Sequence, residues 1–538
     1  QQTERRKINP LSGVSERERK KGSKKNMKRV KRVLALLAAL ALVLAMAVPA
    51  WAEGAEATYT LTINNANGTY EAYQIFSGDL SVNEAGKKVL SNIQWGSGVD
   101  ATKMGSESAA TVAESLTTSA LAENFAEDLV SGSKLSSTKK AATTAQDGTA
   151  VFTGLSAGYY LVKNSSIDSG KTYTDFILEV VGNTTANHKG DVPDVEKKVE
   201  EKNDSTGAAT TWGATADYDV DDEINFELTG TLPESYGRYA NYKYVFHDTM
   251  TNMTYKDGSV KVYYVKDGNT NRVEISSGFA STWDNGAKKL TVTFNDLKTA
   301  VSGLAHGDKI VVTYTATLDA NAVVGGNGNP NKVKLEYSNN PNGDGTGETP
   351  EKTVVVFTYK TIINKVTKGT DGNNVPLAGA EFTLSKFIAS ESGSDTVTVN
   401  DTEYHGTWNR GVTVTPTNTG NIANVFTFSG LDAGIYRLTE TKTPEGYNTI
   451  DPVYFEIVAT NNETKVTSME GKAVNGSEIN FTANATNGSL TTDIVNQSGT
   501  VLPSTGGMGT TVFYVVGGGL MAVAVVLLVT KKRMENKR

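Results

Sequence analysis

Leu290-Thr-Val-Thr-Phe294 carries an apolar side chain at every second position, and Tyr59-Thr-Leu-Thr-Ile63 and Ile310-Val-Val-Thr-Tyr314 follow nearly the same pattern. Successive side chains of a strand point to opposite faces, so a period of two gives each segment one core face and one wet face. Asn, Gly and Asp turns separate these runs, and Thr, Asn, Gly, Val and Tyr dominate residues 53–500. The expected fold class is therefore all-β, with antiparallel strands in sandwiches. A single helical stretch is expected from Ser106 to Leu129, on its Ala, Glu and Leu content. Gly182 to Pro193 and Pro341 to Pro350 read as linkers. They divide the body into 53–188, 189–345 and 350–500.

One motif is written twice. Phe152-Thr-Gly-Leu-Ser-Ala-Gly-Tyr-Tyr160 matches Phe428-Ser-Gly-Leu-Asp-Ala-Gly-Ile-Tyr436 at Phe, Gly, Leu, Ala, Gly and Tyr. The first and third segments should thus share one sandwich type within a tandem array of immunoglobulin-like domains. Four residues further on, Asn164 falls opposite Glu440, so only the third domain carries a carboxylate there.

The length of 538 residues suits three or four ordinary domains. Cysteine is absent, which excludes disulfides, thiolate metal sites and cysteine nucleophiles. The four histidines, His188, His247, His306 and His405, lack ligand spacing, so neither a histidine metal site nor a Ser-His-Asp hydrolase is expected. No cofactor is implied. The acidic run Asp219-Val-Asp-Asp-Glu223 and the loop at 341–345 follow no calcium-ligand spacing and read as solvated loop charge.

The formal charge of −7 conceals a segregation of charge. Residues 1–32 hold 13 Lys/Arg against 3 Glu, and residues 531–538 hold 5 against 1. Residues 53–505 are left with 34 basic and 55 acidic groups, a net of −21. Such a body repels phosphates, and nucleic acid is not an expected partner.

The basic ends read as addresses. From Met27 the chain runs Met-Lys-Arg-Val-Lys-Arg, then an apolar stretch to Val48, then Pro49-Ala-Trp-Ala52, the plan of a secretory signal peptide over 27–52. Residues 1–26 are expected to be sequence translated upstream of a start at Met27. Thr511 to Thr530 is uncharged and long enough to span a bilayer, and the basic tail 531–538 would hold its end inside. Just before it stands Leu502-Pro503-Ser504-Thr505-Gly506. Pentapeptide, apolar helix and basic tail in this order resemble the LPXTG sorting signal of Gram-positive cell-wall-anchored proteins. The resemblance implies that a sortase cysteine attacks the carbonyl between Thr505 and Gly506 and passes the acyl group to an amine.

The third domain reads Ile362-Ile-Asn-Lys365-Val366, Pro376-Leu-Ala-Gly-Ala-Glu-Phe-Thr-Leu384, Leu438-Thr-Glu440-Thr-Lys-Thr-Pro-Glu-Gly-Tyr447 and Asp493-Ile-Val-Asn496. It resembles the collagen-adhesin B-type (prealbumin-like) sandwich of Gram-positive pilins and adhesins, and Glu440 to Tyr447 resembles that family's E-box. The resemblance implies an isopeptide bond from Lys365 to Asn496, assisted by Glu440. Strand parity agrees: Lys365 shares a face with Ile363, and Asn496 with Ile494. A buried lysine loses its charge to desolvation and becomes a nucleophile, and a buried carboxylic acid can polarise an amide as ammonia leaves.

The middle domain opens Val192-Pro-Asp-Val-Glu-Lys197-Lys198-Val199, contains Tyr244-Val-Phe-His-Asp248, and ends Asn331-Lys-Val-Lys-Leu-Glu-Tyr-Ser-Asn339. It resembles the isopeptide-forming middle domain of shaft pilins, where an aspartate often replaces the glutamate. Parity favours Lys197 with Asn339 and Asp248. Asn331 is in phase too, and Lys198 remains an alternative. The first domain, with Asn164 in place of the carboxylate, is expected to form no such bond.

In shaft pilins the acceptor amine is a lysine, usually after proline, at the end of the first domain. Lys189 occupies that place, with His188 where proline is usual. The implied protein is a secreted, sortase-processed pilus subunit of 453 residues, Glu53 to Thr505, linked from Thr505 of one copy to Lys189 of the next. Implied partners are the sortase, other copies, minor pilins, peptidoglycan and a host receptor for adhesion. The alternative is a monomeric wall-anchored adhesin. An enzymatic role is the weakest expectation.

Overall fold

The computed structural model describes residues 57–137, 140–499 and 509–535. The expected upstream stretch 1–26, signal peptide 27–52 and sorting pentapeptide Leu502 to Gly506 lie outside them. Every second residue of the alternating runs is buried: Leu61 and Ile63, then Leu290, Val292 and Phe294, then Ile310, Val312 and Tyr314. Apolar faces of this kind are stable only against one another, and the described body is a row of β-sandwiches.

In the first, Tyr59–Asn64 lies between Thr149–Leu155, antiparallel, and Thr184–Asn187, parallel. The expected linker from Gly182 therefore contributes a strand that closes this sheet. The facing sheet runs Lys88–Trp95, Thr69–Val82, Gly158–Ser166, Asp175–Val180. The expected helix is two helices, Ala109–Ser115 and Ser119–Ser131. Thr118 breaks it because its hydroxyl caps the second helix by accepting from the Leu121 amide.

The second sandwich holds Lys197 on Asp194–Glu201 in one sheet, beside Glu223–Thr231 and then Lys309–Leu318. Its other sheet holds Tyr244–Met250 beside Asn329–Ser338. In the third, Tyr359–Lys368 runs parallel to Ser489–Asn496, and Gly434–Lys442 lies in the facing sheet. Helix Gly509–Glu535 contains Val515–Met534, long and apolar enough to cross a membrane by length and composition.

The boundary expected near 345–350 falls too early. Lys352–Phe357 pairs with Asn329–Ser338 and so completes the second sandwich. Its side chains serve two cores: Val354 and Val356 pack into the second, Val355 and Phe357 into the third. A strand buried on both faces reads as a continuous apolar run, here Val354-Val-Val-Phe357, and it binds the two sandwiches to each other.

The same junction holds a charge network. Lys386 of the third sandwich is 3% exposed, with Nζ 2.7 Å from Asp432 Oδ2, 2.7 Å from Asp219 Oδ2 and 3.4 Å from Asp204 Oδ2. Asp219 was expected as solvated charge; the fold instead spends it on this cation and on the amide of Asp432, at 3.0 Å. Oxygens of Asp204, Asp222 and Asp432 lie within 4.8 Å of one another, and the chain's own Lys386 ammonium pairs with two of them, Asp204 and Asp432. Ser205, fully buried, bridges the domains by donating to the Phe387 carbonyl and accepting from the Ile435 amide. Removing one partner of a buried ion pair costs about 3–5 kcal/mol because the other charge stays buried. Lys386→Met should therefore lower the thermal midpoint strongly; a chain as stable as wild type in calorimetry would sink the assignment.

Candidate functional site

Parallel pairing sets Lys365 opposite Ile494 and Thr367 opposite Asn496. Lys365 and Asn496 are both completely buried and Glu440 is 6% exposed. Lys365 Nζ contacts Asn496 Oδ1 directly and lies 3.3 Å from the Ile494 carbonyl and 3.4 Å from Glu440 Oε1. The Asn496 amide nitrogen donates to both Glu440 oxygens, at 3.0 and 3.2 Å. Glu440 is held in turn by the Thr443 hydroxyl and the Ile450 amide, each 3.2 Å from Oε2. Burial lowers the Lys365 pKa although Glu440 pulls the other way. A neutral amine against an amide carbonyl, with a carboxyl at the amide nitrogen, is an arrangement that can displace ammonia.

The middle domain gathers a different set. Lys197 Nζ, on a side chain shielded from solvent, contacts Asp248 directly and donates to Tyr314 Oη at 3.0 Å. That hydroxyl donates to Asp248 Oδ1 at 2.9 Å and accepts from the amide nitrogen of Asn331 at 2.7 Å. Burial pushes Lys197 down to about 8 and Asp248 up, so each moves toward its neutral form. Aromatic rings complete the wall, with the Phe226 centroid 5.2 Å from Nζ.

Asn339 is not part of this set, which corrects the parity assignment. It lies one residue past the strand Asn329–Ser338, where its amide donates to the Lys171 carbonyl of the first domain at 3.4 Å. Parity sorts residues by face but not by height. Eight residues of strand separate Asn331 from Asn339 by about 26 Å, and Asp248 is paired with Val333, near the Asn331 end. Lys198 points outward and is exposed. In the first domain Asn164 is buried, and its side chain bonds the Asn67 carbonyl at 3.0 Å and the Thr174 amide at 3.1 Å.

Lys189 is exposed on the loop after Thr184–Asn187, its Nζ 5.9 Å from the Phe176 ring. Both flanks of that loop are pinned. His188 Nδ1 lies 2.8 Å from Tyr70 Oη and Nε2 lies 3.2 Å from Asn67 Nδ2. Asp191 accepts from the Ser235 amide of the middle domain at 3.0 Å. At Gly190 a Cβ would come within 2.4 Å of His188 Nε2 and 2.3 Å of Thr172 Oγ1, so glycine is needed for close approach. Sequence reasoning missed Tyr314 and Lys386. Tyr314 reads as one more apolar position of its strand, and Lys386 has no signal short of the domain junction.

Residues 363–473 match the SpaA prealbumin-like fold domain, and residues 494–536 match the LPXTG cell wall anchor motif. The chain is similar to the trypsin-resistant surface T6 protein of Streptococcus pyogenes serotype M6, 24% identical over 477 residues, covering 72% of this chain and 81% of that protein. Its fold is similar to that of the T6 backbone pilin, a modular three-domain structure, with a TM-score of 0.51 and 19% identity over 83% of this chain and 99% of the other. The full-length major pilin SpaD of Corynebacterium diphtheriae aligns with a TM-score of 0.45 and 19% identity over 83% of this chain and 98% of its own.

Burial, reinforced by Lys171, lowers the His188 pKa to about 4, below the ordinary value near 6.5. The unfolded chain then binds more protons than the folded one between those values, so stability falls as pH falls from about 6.5 to about 4 and is flat above. Thermal midpoints of the first domain should follow this course, and His188→Gln should flatten it. An equally steep acid loss in the variant would contradict the role given to His188.

Proposed function

We propose that this chain, a sortase-assembled major pilin anchored to the Gram-positive cell wall by its LPXTG motif and a subunit of a surface pilus, is joined through Thr505 of one copy to Lys189 of the next. The sortase cleaves between Thr505 and Gly506 within Leu502-Pro503-Ser504-Thr505-Gly506. The Lys189 amine then takes the acyl group, and the last copy is passed to peptidoglycan. Support for Lys189 comes from its exposure between two pinned neighbours, which holds the amine in place while leaving it open to an acyl-enzyme. Proline at this position would stiffen the backbone; the hydrogen-bonded His188 supplies stiffness by other means. The domain boundaries in this reading are 57–188, 189–357 and 359–499.

The shaft is stapled internally by Lys-Asn amides formed by the chain on itself. The contact that carries this reading is Lys365 Nζ on Asn496 Oδ1 with Glu440 against the amide nitrogen, all three groups out of water. In the middle domain we assign Lys197 and Asn331, with Asp248 as the carboxyl, in place of Asn339. Each bond releases one ammonia. Such amides resist reduction, which suits a chain without cysteine.

Co-expression with a pilus sortase should give a ladder of covalent multimers that Lys189→Ala abolishes; an unchanged ladder refutes Lys189 as acceptor. The intact mass of Glu53 to Thr505 should fall two ammonias short of the sequence mass. Glu440→Ala should restore one ammonia and destabilise the third domain, since Lys365 and Asn496 remain as buried polar groups costing about 1–3 kcal/mol each. A full sequence mass in the wild type would refute both bonds.

A further inference from the structure

The two buried clusters differ by one methylene and one hydroxyl. In the third domain Glu440 reaches the Asn496 nitrogen itself, at 3.0 and 3.2 Å. In the middle domain the shorter Asp248 stands opposite Val333, while the amide to be attacked belongs to Asn331, opposite Met250. Tyr314 stands between them. Its hydroxyl lies 2.9 Å from Asp248 Oδ1, 2.7 Å from Asn331 Nδ2 and 3.0 Å from Lys197 Nζ. Asn331 Oδ1 is buried without a partner, and the 2.7 Å hydrogen bond of the amide nitrogen goes to Tyr314, with Asp248 interacting with the same amide less directly. The Tyr314 ring is fixed by stacking on Phe226, with centroids 5.3 Å apart and planes at 17°. Lys309–Leu318 and Asn329–Ser338 belong to opposite sheets, so the hydroxyl crosses the core to meet the amide.

We propose that Tyr314 is a catalytic residue of the middle-domain cross-link and carries a proton from Asp248 to the departing nitrogen of Asn331. The assignment rests on the Lys197–Asn331 bond proposed above. Lys197 first gives one ammonium proton to Asp248. The neutral Nζ attacks Asn331 Cγ, forming the Nζ–Cγ bond. The protonated carboxyl now donates to the Tyr314 oxygen, whose own hydrogen turns to Nδ2 and is transferred there. The Cγ–Nδ2 bond breaks, ammonia leaves, and the surplus proton on Nζ returns to Asp248. One amide, one ammonia, a neutral tyrosine and a protonated aspartate remain, and both charge and hydrogen count balance. The third domain needs no such relay because Glu440 touches the leaving nitrogen directly.

The test follows bond formation after cell-free synthesis of Glu53 to Thr505, by intact mass and by the Lys197–Asn331 and Lys365–Asn496 linked peptides. Positioned proton transfer contributes about 10²–10⁴-fold. Tyr314→Phe should therefore slow the middle bond by about a hundredfold or more while the third-domain bond forms at the wild-type rate. Should Tyr314→Phe perturb folding, 2,3-difluorotyrosine at 314 keeps ring and hydroxyl but makes the phenol more acidic. It should move the pH dependence of the middle bond alone. Equal middle-bond rates in wild type and Tyr314→Phe, or an unmoved pH profile with the fluorinated residue, overturn the relay. A wild-type chain lacking the Lys197–Asn331 peptide but holding Lys365–Asn496 instead refutes the underlying bond, and the relay with it.

Discussion

A lysine ammonium taken out of water must either meet enough negative charge to remain an ion or give up its proton. Three buried lysines of this chain resolve that constraint in two ways. Lys386 meets Asp432, Asp219 and Asp204, and its pKa rises despite burial. Lys365 meets Glu440 and the Asn496 amide, Lys197 meets Asp248 and the Tyr314 hydroxyl, and burial lowers the pKa of both. The first arrangement is a permanent ion that ties two domains together. The other two are poised for a neutral amine, which is what a covalent bond to asparagine requires.

The two reactive clusters sit differently in their sandwiches. Lys365 and Asn496 lie on adjacent parallel strands of one sheet, the first and last of their domain, with Glu440 supplied from across the core. Lys197 and Tyr314 belong to one sheet of the middle domain, and Asp248 and Asn331 to the other. The proposed bond in the third domain would lock first strand to last strand; that in the middle domain would lock sheet to sheet. Tension along the chain enters a domain at its terminal strands, so the proposed third-domain bond would join the strands that bear load, while the proposed middle-domain bond would tie the first strand of its domain to the neighbour of the last. Lys352–Phe357, shared by two cores, and the Lys386 network tie the second and third sandwiches together at their junction.

The all-β class was legible from runs such as Leu290 to Phe294, because a period of two maps directly onto the two faces of a sheet. The repeat at Phe152 and Phe428 falls in both domains where the chain passes from one sheet to the facing one, and the C-terminal order of pentapeptide, apolar helix and basic tail announced the anchor. Lys365, Glu440 and Asn496 were legible as a set through a motif and its parity. Val354 to Phe357 was misread as the start of a new domain, since an uninterrupted apolar run does not say whose cores it fills.

Composition and local pattern determined the strands, their inward faces, the absence of disulfides and the anchor at the C-terminal end. Tertiary structure alone decided that Asn331 rather than Asn339 shares the Tyr314 hydroxyl with Lys197, and that Lys386 answers acids from another domain. The reason is geometric: alternation along one strand fixes which way a side chain points, whereas its height against a partner depends on how sheets register and pack.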